Sequence, residues 1–249
     1  MHLQFYLLVL TGLVILLSSV IKGITGFGFS LLAIPVLSFI FPMNVLVPAL
    51  VIFNLVTSIM VLLKLKEKVR AYYLIPMMIA SLLGIPFGIY ILTYIDANIL
   101  KLVISFLVIL FSLKMLSGVK LAKKNLDKPI VFAGFISGLL TSSISIGGPT
   151  LVIALDRKGY SKELFRGIFI WFMVVSSLFS TVAFYYKGLL SIETIKYSAF
   201  ALPLLFIGSS WGVKIASRIN AFKFRKLVIY LNVFTGLIML ISTILALKH

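Results

Sequence analysis

Residues 137–153 read SGLLTSSISIGGPTLVI, and an apolar stretch of similar make-up, GITGFGFSLLAIPVL, occupies residues 23–37. Both should break a helix. Glycine weakens a helix interior, and Pro149, lacking an amide donor, is best tolerated in the first turn of a new helix, so a restart near Gly148 is expected. What such a break means depends on its surroundings. The chain has 249 residues, of which 61% are hydrophobic and 12% charged, against about 45–50% and about 25% in a soluble domain. That composition cannot supply a charged shell, so the apolar stretches face lipid.

Runs long enough to cross a bilayer occur at 3–41, 45–63, 72–94, 98–113, 129–155, 167–186, 195–213 and 227–247, with no soluble domain between them. The first run follows Met1 and His2 without a basic n-region or a cleavage site, and is expected to be retained. An internal repeat emerges at an offset of 119, pairing Gly28 with Gly147, Thr57 with Ser176 and Ser58 with Ser177. Farther on the offset drifts to 124, pairing Gly84 with Gly208 and Gly88 with Gly212, and then to 125, where KLVI at 101–104 meets KLVI at 226–229. Two homologous halves, 1–120 and 121–249, are expected.

Charge counts the crossings. Lysine and arginine number 23 against 6 acids, a net +17, and they sit in short clusters between apolar blocks rather than along one face. That favours cytoplasmic loops beside an anionic lipid leaflet over nucleic acid as the partner. The clusters are Lys64, Lys66, Lys68 and Arg70; Lys114, Lys120, Lys123, Lys124 and Lys128; Arg157, Lys158, Lys162 and Arg166; and Lys214, Arg218, Lys223, Arg225 and Lys226. If every block crosses once, the basic residues outside Lys22 divide 12 against 10. If the block at 129–155 enters and returns to its own side, they divide 18 against 4, with Lys101, Lys187, Lys196 and Lys248 on the poor side. The second division implies that each half is a broken or re-entrant hairpin followed by three spans. Three is odd, so the expected architecture is all-α and polytopic, two inverted repeats with both termini outside.

Broken backbone at membrane depth must line a cavity or a substrate. A helix that begins at the midplane points free amides and its positive dipole end at the break, and two inverted halves bring two such ends together. Anions bind there. The expected site comprises Gly26, Gly28, Gly147, Gly148 and Pro149, with the hydroxyls of Thr25, Ser30, Ser143, Ser145 and Thr150 as further donors to oxyanion oxygens. The glycines would let the backbone approach the ligand. Gly84, Gly88, Gly208 and Gly212 are expected to serve close helix packing instead. Thr57, Ser58, Ser176 and Ser177 either line the path or bond their own helices. Lys22 could hold the anion, but its expected place is the cytoplasmic interface, with the ammonium extended along a first span. Asn54 and Asn232 are interhelical glue or cavity contacts, and Trp171 and Tyr185 interface anchors.

No cofactor or metal is expected. Cysteine is absent, the only histidines are His2 and His249, and no HExxH, paired aspartate or P-loop occurs, so metalloprotease, aspartyl-protease and nucleotide-driven mechanisms lack their parts. No acid lies clearly inside a span, so a proton relay is not evident. An anion leaving a cell with a negative interior gains about 2.3 kcal/mol per charge per 100 mV, so export would not require one. A second copy of the chain is left open as a partner.

Through Gly23, Gly26 and Gly28 with Pro35, and Gly134, Gly138, Gly147, Gly148 and Pro149, the chain resembles the TauE/SafE family of sulfite-exporter-like permeases over essentially its whole length. A G-x-G-G-G core followed by proline is common in that family. Here Phe29 takes one glycine place, Ser145 another, and Ala154 stands where the first half has Pro35. The resemblance implies alternating-access transport of small sulfur oxyanions, organosulfonates such as sulfoacetate, or carboxylates, often outward. A channel of the same architecture is the alternative, and a membrane-embedded enzyme, needing a base that the serines lack, a more distant one.

Overall fold

The computed structural model describes residues 2–63, 69, 71–116, 127–156, 160–216 and 221–247. Ten helices and no strand occur among them: α1 (His2–Thr25), α2 (Phe29–Leu37), α3 (Met43–Leu63), α4 (Ala71–Tyr94), α5 (Ala97–Leu116), α6 (Asp127–Ile144), α7 (Gly148–Asp156), α8 (Lys162–Tyr186), α9 (Ile192–Ala216) and α10 (Ala221–Leu247). At 1.5 Å per residue, the 20 or more residues of the long helices match a hydrocarbon core about 30 Å thick. Seven are long and apolar enough to cross, and α1, through Tyr6–Thr25, is one of them, whereas α6 offers only the shorter apolar segment Ile130–Ile144. The two short helices, nine residues each, reach about 13 Å, less than half that depth.

The helix starts keep the offsets read from the sequence. Both α2 and α7, and both α3 and α8, begin 119 residues apart, and α5 and α10 begin 124 apart. The basic loops join α3 to α4, α5 to α6, α7 to α8 and α9 to α10. Of their residues Lys64, Lys66, Lys68, Arg70, Lys120, Lys123, Lys124, Arg157, Lys158 and Arg218 lie outside the described residues, as does the boundary between the halves at 120.

Packing crosses between the halves. Gly84 lies against Phe135 and Leu139, Gly88 against Leu139 and Ser142, and Gly134 and Gly138 against Met77 and Ser81, so α4 and α6 run in the same direction with their backbones nearly touching. In the same way Gly208 meets Leu16 and Ser19, and Gly212 meets Val20 and Gly23, which sets α1 parallel to α9. A side chain at any of these glycines would strike backbone of the facing helix, the small-residue packing expected in lipid. The lipid-facing sides carry exposed Leu83, Phe87, Phe106, Phe206, Phe234 and Ile241. Tyr185 is 68% exposed at the end of α8, where an anchor belongs, but Trp171 lies seven residues inside that span, about 10 Å from its end.

Candidate functional site

The chain breaks where the glycines stand, between Thr25 and Phe29 and between Ile144 and Gly148. Gly26 (φ 83) and its repeat counterpart Ser145 (φ 57) both adopt the left-handed conformation, and Ser145 does so without being a glycine. After Ser145 the chain doubles back. Ile146 N–H donates to Leu140 O at 3.2 Å, and Ser137 Oγ, two turns down α6, donates to Gly147 O at 2.7 Å. In the first half Gly26 N–H donates to Lys22 O at 2.7 Å, and Gly28 (φ 95) reverses the chain into α2.

The starts of α2 and α7 face one cavity of about 20 Å³. Its wall contains both members of five repeat pairs: Gly26 and Ser145, Phe27 and Ile146, Phe29 and Gly148, Ser30 and Pro149, Asn54 and Met173. The cavity thus sits where the two breaks meet, with Phe29, Ser30 and Leu31 from the start of α2 and Gly148 and Pro149 from the start of α7 in its wall; a helix start leaves its first amides without helical carbonyl partners, although Pro149 has none to offer.

Lys22 closes it from α1. The expectation that this ammonium reaches an interface is corrected: Lys22 is 1% exposed, because α3 offers it acceptors at the right height. Nζ donates to Asn54 O at 2.8 Å, Asn54 Oδ1 at 2.9 Å and Ser58 Oγ at 2.9 Å. Three acceptors use the three N–H groups of an ammonium, and no carboxylate stands beside it among the described residues. The Asn54 amide relays the network to the other half. Its Nδ2 donates to Ser30 Oγ at 2.8 Å and to Ser145 Oγ at 3.1 Å, and these two hydroxyls lie 3.0 Å apart. Burying an ammonium among neutral partners is costly.

The remaining expected residues divide. Thr25 Oγ1 donates to Ile21 O and Phe27 O, Ser143 Oγ to Leu139 O, and Thr150 Oγ1 to Gly147 O. Those hydroxyls are committed to carbonyls of their own segments. Gly147 faces Ser137 and Thr141, where a side chain would collide with the fold-back, so its smallness serves the turn. Thr57 Oγ1 donates to Phe53 O, Ser176 bonds Ser81 across α8 and α4, and the buried Ser177 hydroxyl has no hydrogen-bond partner among the described residues. Asn232 is also buried, with no side-chain hydrogen-bond partner among the described residues. Sequence reasoning did not see Phe27 and Phe169, which meet edge-to-face at 6.1 Å beside the cavity, or Phe29 and Phe53, which do so at 6.1 Å on its other side. Aromatic residues are too common in spans to stand out.

A far larger space, about 410 Å³, lies beyond Phe53, walled by α1, α3, α9 and the end of α2. It joins the early residues of α1 (Leu7, Ile15) to Leu37 and to Val45–Ala49, so α2 returns toward the side on which α1 began.

A search of curated proteins and one of solved structures give no significant match. The family model described as "Sulfite exporter TauE/SafE" matches residues 11–239. With helices that fit a bilayer and two glycine-rich breaks meeting at a buried lysine, the chain is a multi-pass membrane transporter that belongs to the TauE/SafE family.

Proposed function

We propose that the chain is a permease for small anions, sulfur oxyanions, organosulfonates or carboxylates, carried outward by alternating access. The observation that carries this reading is the meeting of two helix N-termini with Lys22 at one buried point. Each part favours negative charge. First-turn amides and dipole ends are donors, Lys22 supplies a full charge, and the Asn54 amide with Ser30 and Ser145 adds directed hydrogen bonds.

At about 20 Å³ the cavity holds no oxyanion, so these groups satisfy one another in the contracted arrangement. An arriving anion replaces the contact of Ser30 with Ser145 and takes at least one N–H of Lys22 from α3. Binding thereby loosens the two breaks, the coupling that alternating access requires. Inversion of the halves is supported by three directions: α4 parallel to α6, α1 parallel to α9, and α7 folded back along α6. It makes α1 antiparallel to α6 and puts both termini on one face and the four basic loops on the other, beside the anionic cytoplasmic leaflet. The conformation is also unequal across the membrane. The large cavity lies along the first half of α1, whereas Ile168 and Phe172, the repeat counterparts of Ala49 and Phe53, are fully buried in an apolar cluster.

Counterflow in proteoliposomes tests the proposal. Labelled sulfite, methanesulfonate or acetate should enter vesicles faster when the same unlabelled anion is inside. Uptake that ignores the internal anion would mark a pore, and no protein-dependent uptake of any of the three would end the reading.

A further inference from the structure

The large cavity has a chemistry that a small inorganic anion does not need. Its floor is Ile15, Leu37, Leu46, Ala49, Phe53 and Ala201, all buried. The two hydroxyl-bearing residues in its wall already have protein partners: Thr11 Oγ1 donates to Leu7 O at 2.8 Å, and Thr194 Oγ1 bonds Ser191 Oγ at 2.9 Å. A hydrated oxyanion gains nothing by dehydrating against such a wall. Yet about 410 Å³ lies in the range of organic ligand sites, about 300–1,000 Å³.

The cavity is also a neighbour of the anion site. Phe53 forms its floor while Asn54, the next residue, holds Lys22, and the edge-to-face pair of Phe53 with Phe29 stands between the two spaces. The equivalent position of the other half carries larger side chains. There Ile168 replaces Ala49 and Phe165 replaces Leu46, and both belong to a packed cluster. The space thus stands beside a small residue where the repeat counterpart is a large, buried one.

We propose that the transported substrate is an organic monoanion with an apolar tail, its head held by Lys22, Asn54, Ser30 and Ser145 and its tail lodged past Phe53 in the large cavity. This rests on the anion-permease reading and narrows it. A single lysine matches a single negative charge, and no second cation stands near it among the described residues. The tail exchanges water for lipid-like surroundings as it enters, which draws the head toward the lysine and parts Phe29 from Phe53.

The test uses purified full-length protein and the straight-chain sulfonates from methanesulfonate to pentanesulfonate. Dissociation constants from ligand-dependent thermal stabilisation should fall about three- to fourfold per added methylene, the gain of burying one CH₂. In Ala49→Ile, which copies the packed half, that gain should vanish, and Ala201→Leu on another wall provides a second variant should the first not fold. Affinity that ignores chain length overturns the tail site. So does an equal gain in wild type and both variants, because it would come from partitioning into detergent. Counterflow of labelled butanesulfonate then separates the two ideas: chain-length-dependent binding without counterflow overturns the permease reading alone, and counterflow without chain-length dependence overturns the tail site alone.

Discussion

Replacing Lys22 by methionine tests the centre of the site with little disturbance of its shape. Methionine keeps a straight chain of similar length, and the cost of burying an ammonium, several kcal/mol, disappears together with three charge-assisted hydrogen bonds worth about 1.5–3 kcal/mol each. These contributions nearly cancel, and the Ser58 hydroxyl can turn to a carbonyl of its own helix. The melting temperature without anion should therefore stay within a few degrees of wild type. The effect on the anion is of another order. A unit charge about 4 Å from the ammonium, at an effective dielectric constant of about 20, interacts by about 4 kcal/mol. Part of this returns as Asn54, Ser30 and Ser145 reorganise, leaving a loss of about two to three orders of magnitude in affinity. Thermal unfolding with and without anion, together with counterflow, measures both. A folded Lys22→Met protein that binds and carries anions as wild type does would refute the site.

Ser145 offers a contrast between strain and hydrogen bonding. Ser145→Gly frees a left-handed backbone that costs serine about 1 kcal/mol or more, whereas Ser145→Ala keeps the strain; both lose the contacts with Ser30 and Asn54. Thermal unfolding should place the glycine variant about 1 kcal/mol above the alanine one, with weakened anion binding in each. Gly212→Val should overpack the contact with Val20 and Gly23 by about 1–3 kcal/mol, read as lost monodisperse protein in size-exclusion chromatography. The chain contains no cysteine, so single cysteines report topology directly. Lys123→Cys and Lys158→Cys should label from one face of the membrane and Asp96→Cys from the other, and labelling of the first two from opposite faces would contradict the fold-back between them.

Much of this architecture was legible because lipid imposes simple rules. Apolar length marks the spans, and the glycines of 23–28 and 147–148 mark the breaks so well that α2 and α7 start one residue after Gly28 and at Gly148. The asymmetry of lysines requires a doubling back within 129–155, and the break between Ile144 and Gly148 supplies it. Side-chain destinations were not legible in the same way. Lys22 could extend toward an interface or turn inward, and the choice is made by Asn54 and Ser58, which lie 32 and 36 residues away in sequence. Nor could hydroxyl content show that Thr25, Ser143 and Thr150 would bond their own carbonyls while Ser30 and Ser145 met one another. The large cavity arises from a comparison, Ala49 against Ile168, that acquires meaning only when both halves are seen packed.

The exchange of partners between halves has a consequence for biogenesis. The glycine-bearing face of α1 finds its mate in α9, whose first residue lies 190 positions later, and synthesis proceeds at about 5–20 residues per second. For roughly ten seconds or more the nascent protein holds its first helix in the bilayer without the neighbour that seals it. Its assembly is therefore a closing step rather than a progressive one, and a ribosome that stalls before α9 leaves an orphan that membrane quality control can recognise by its unsealed seam.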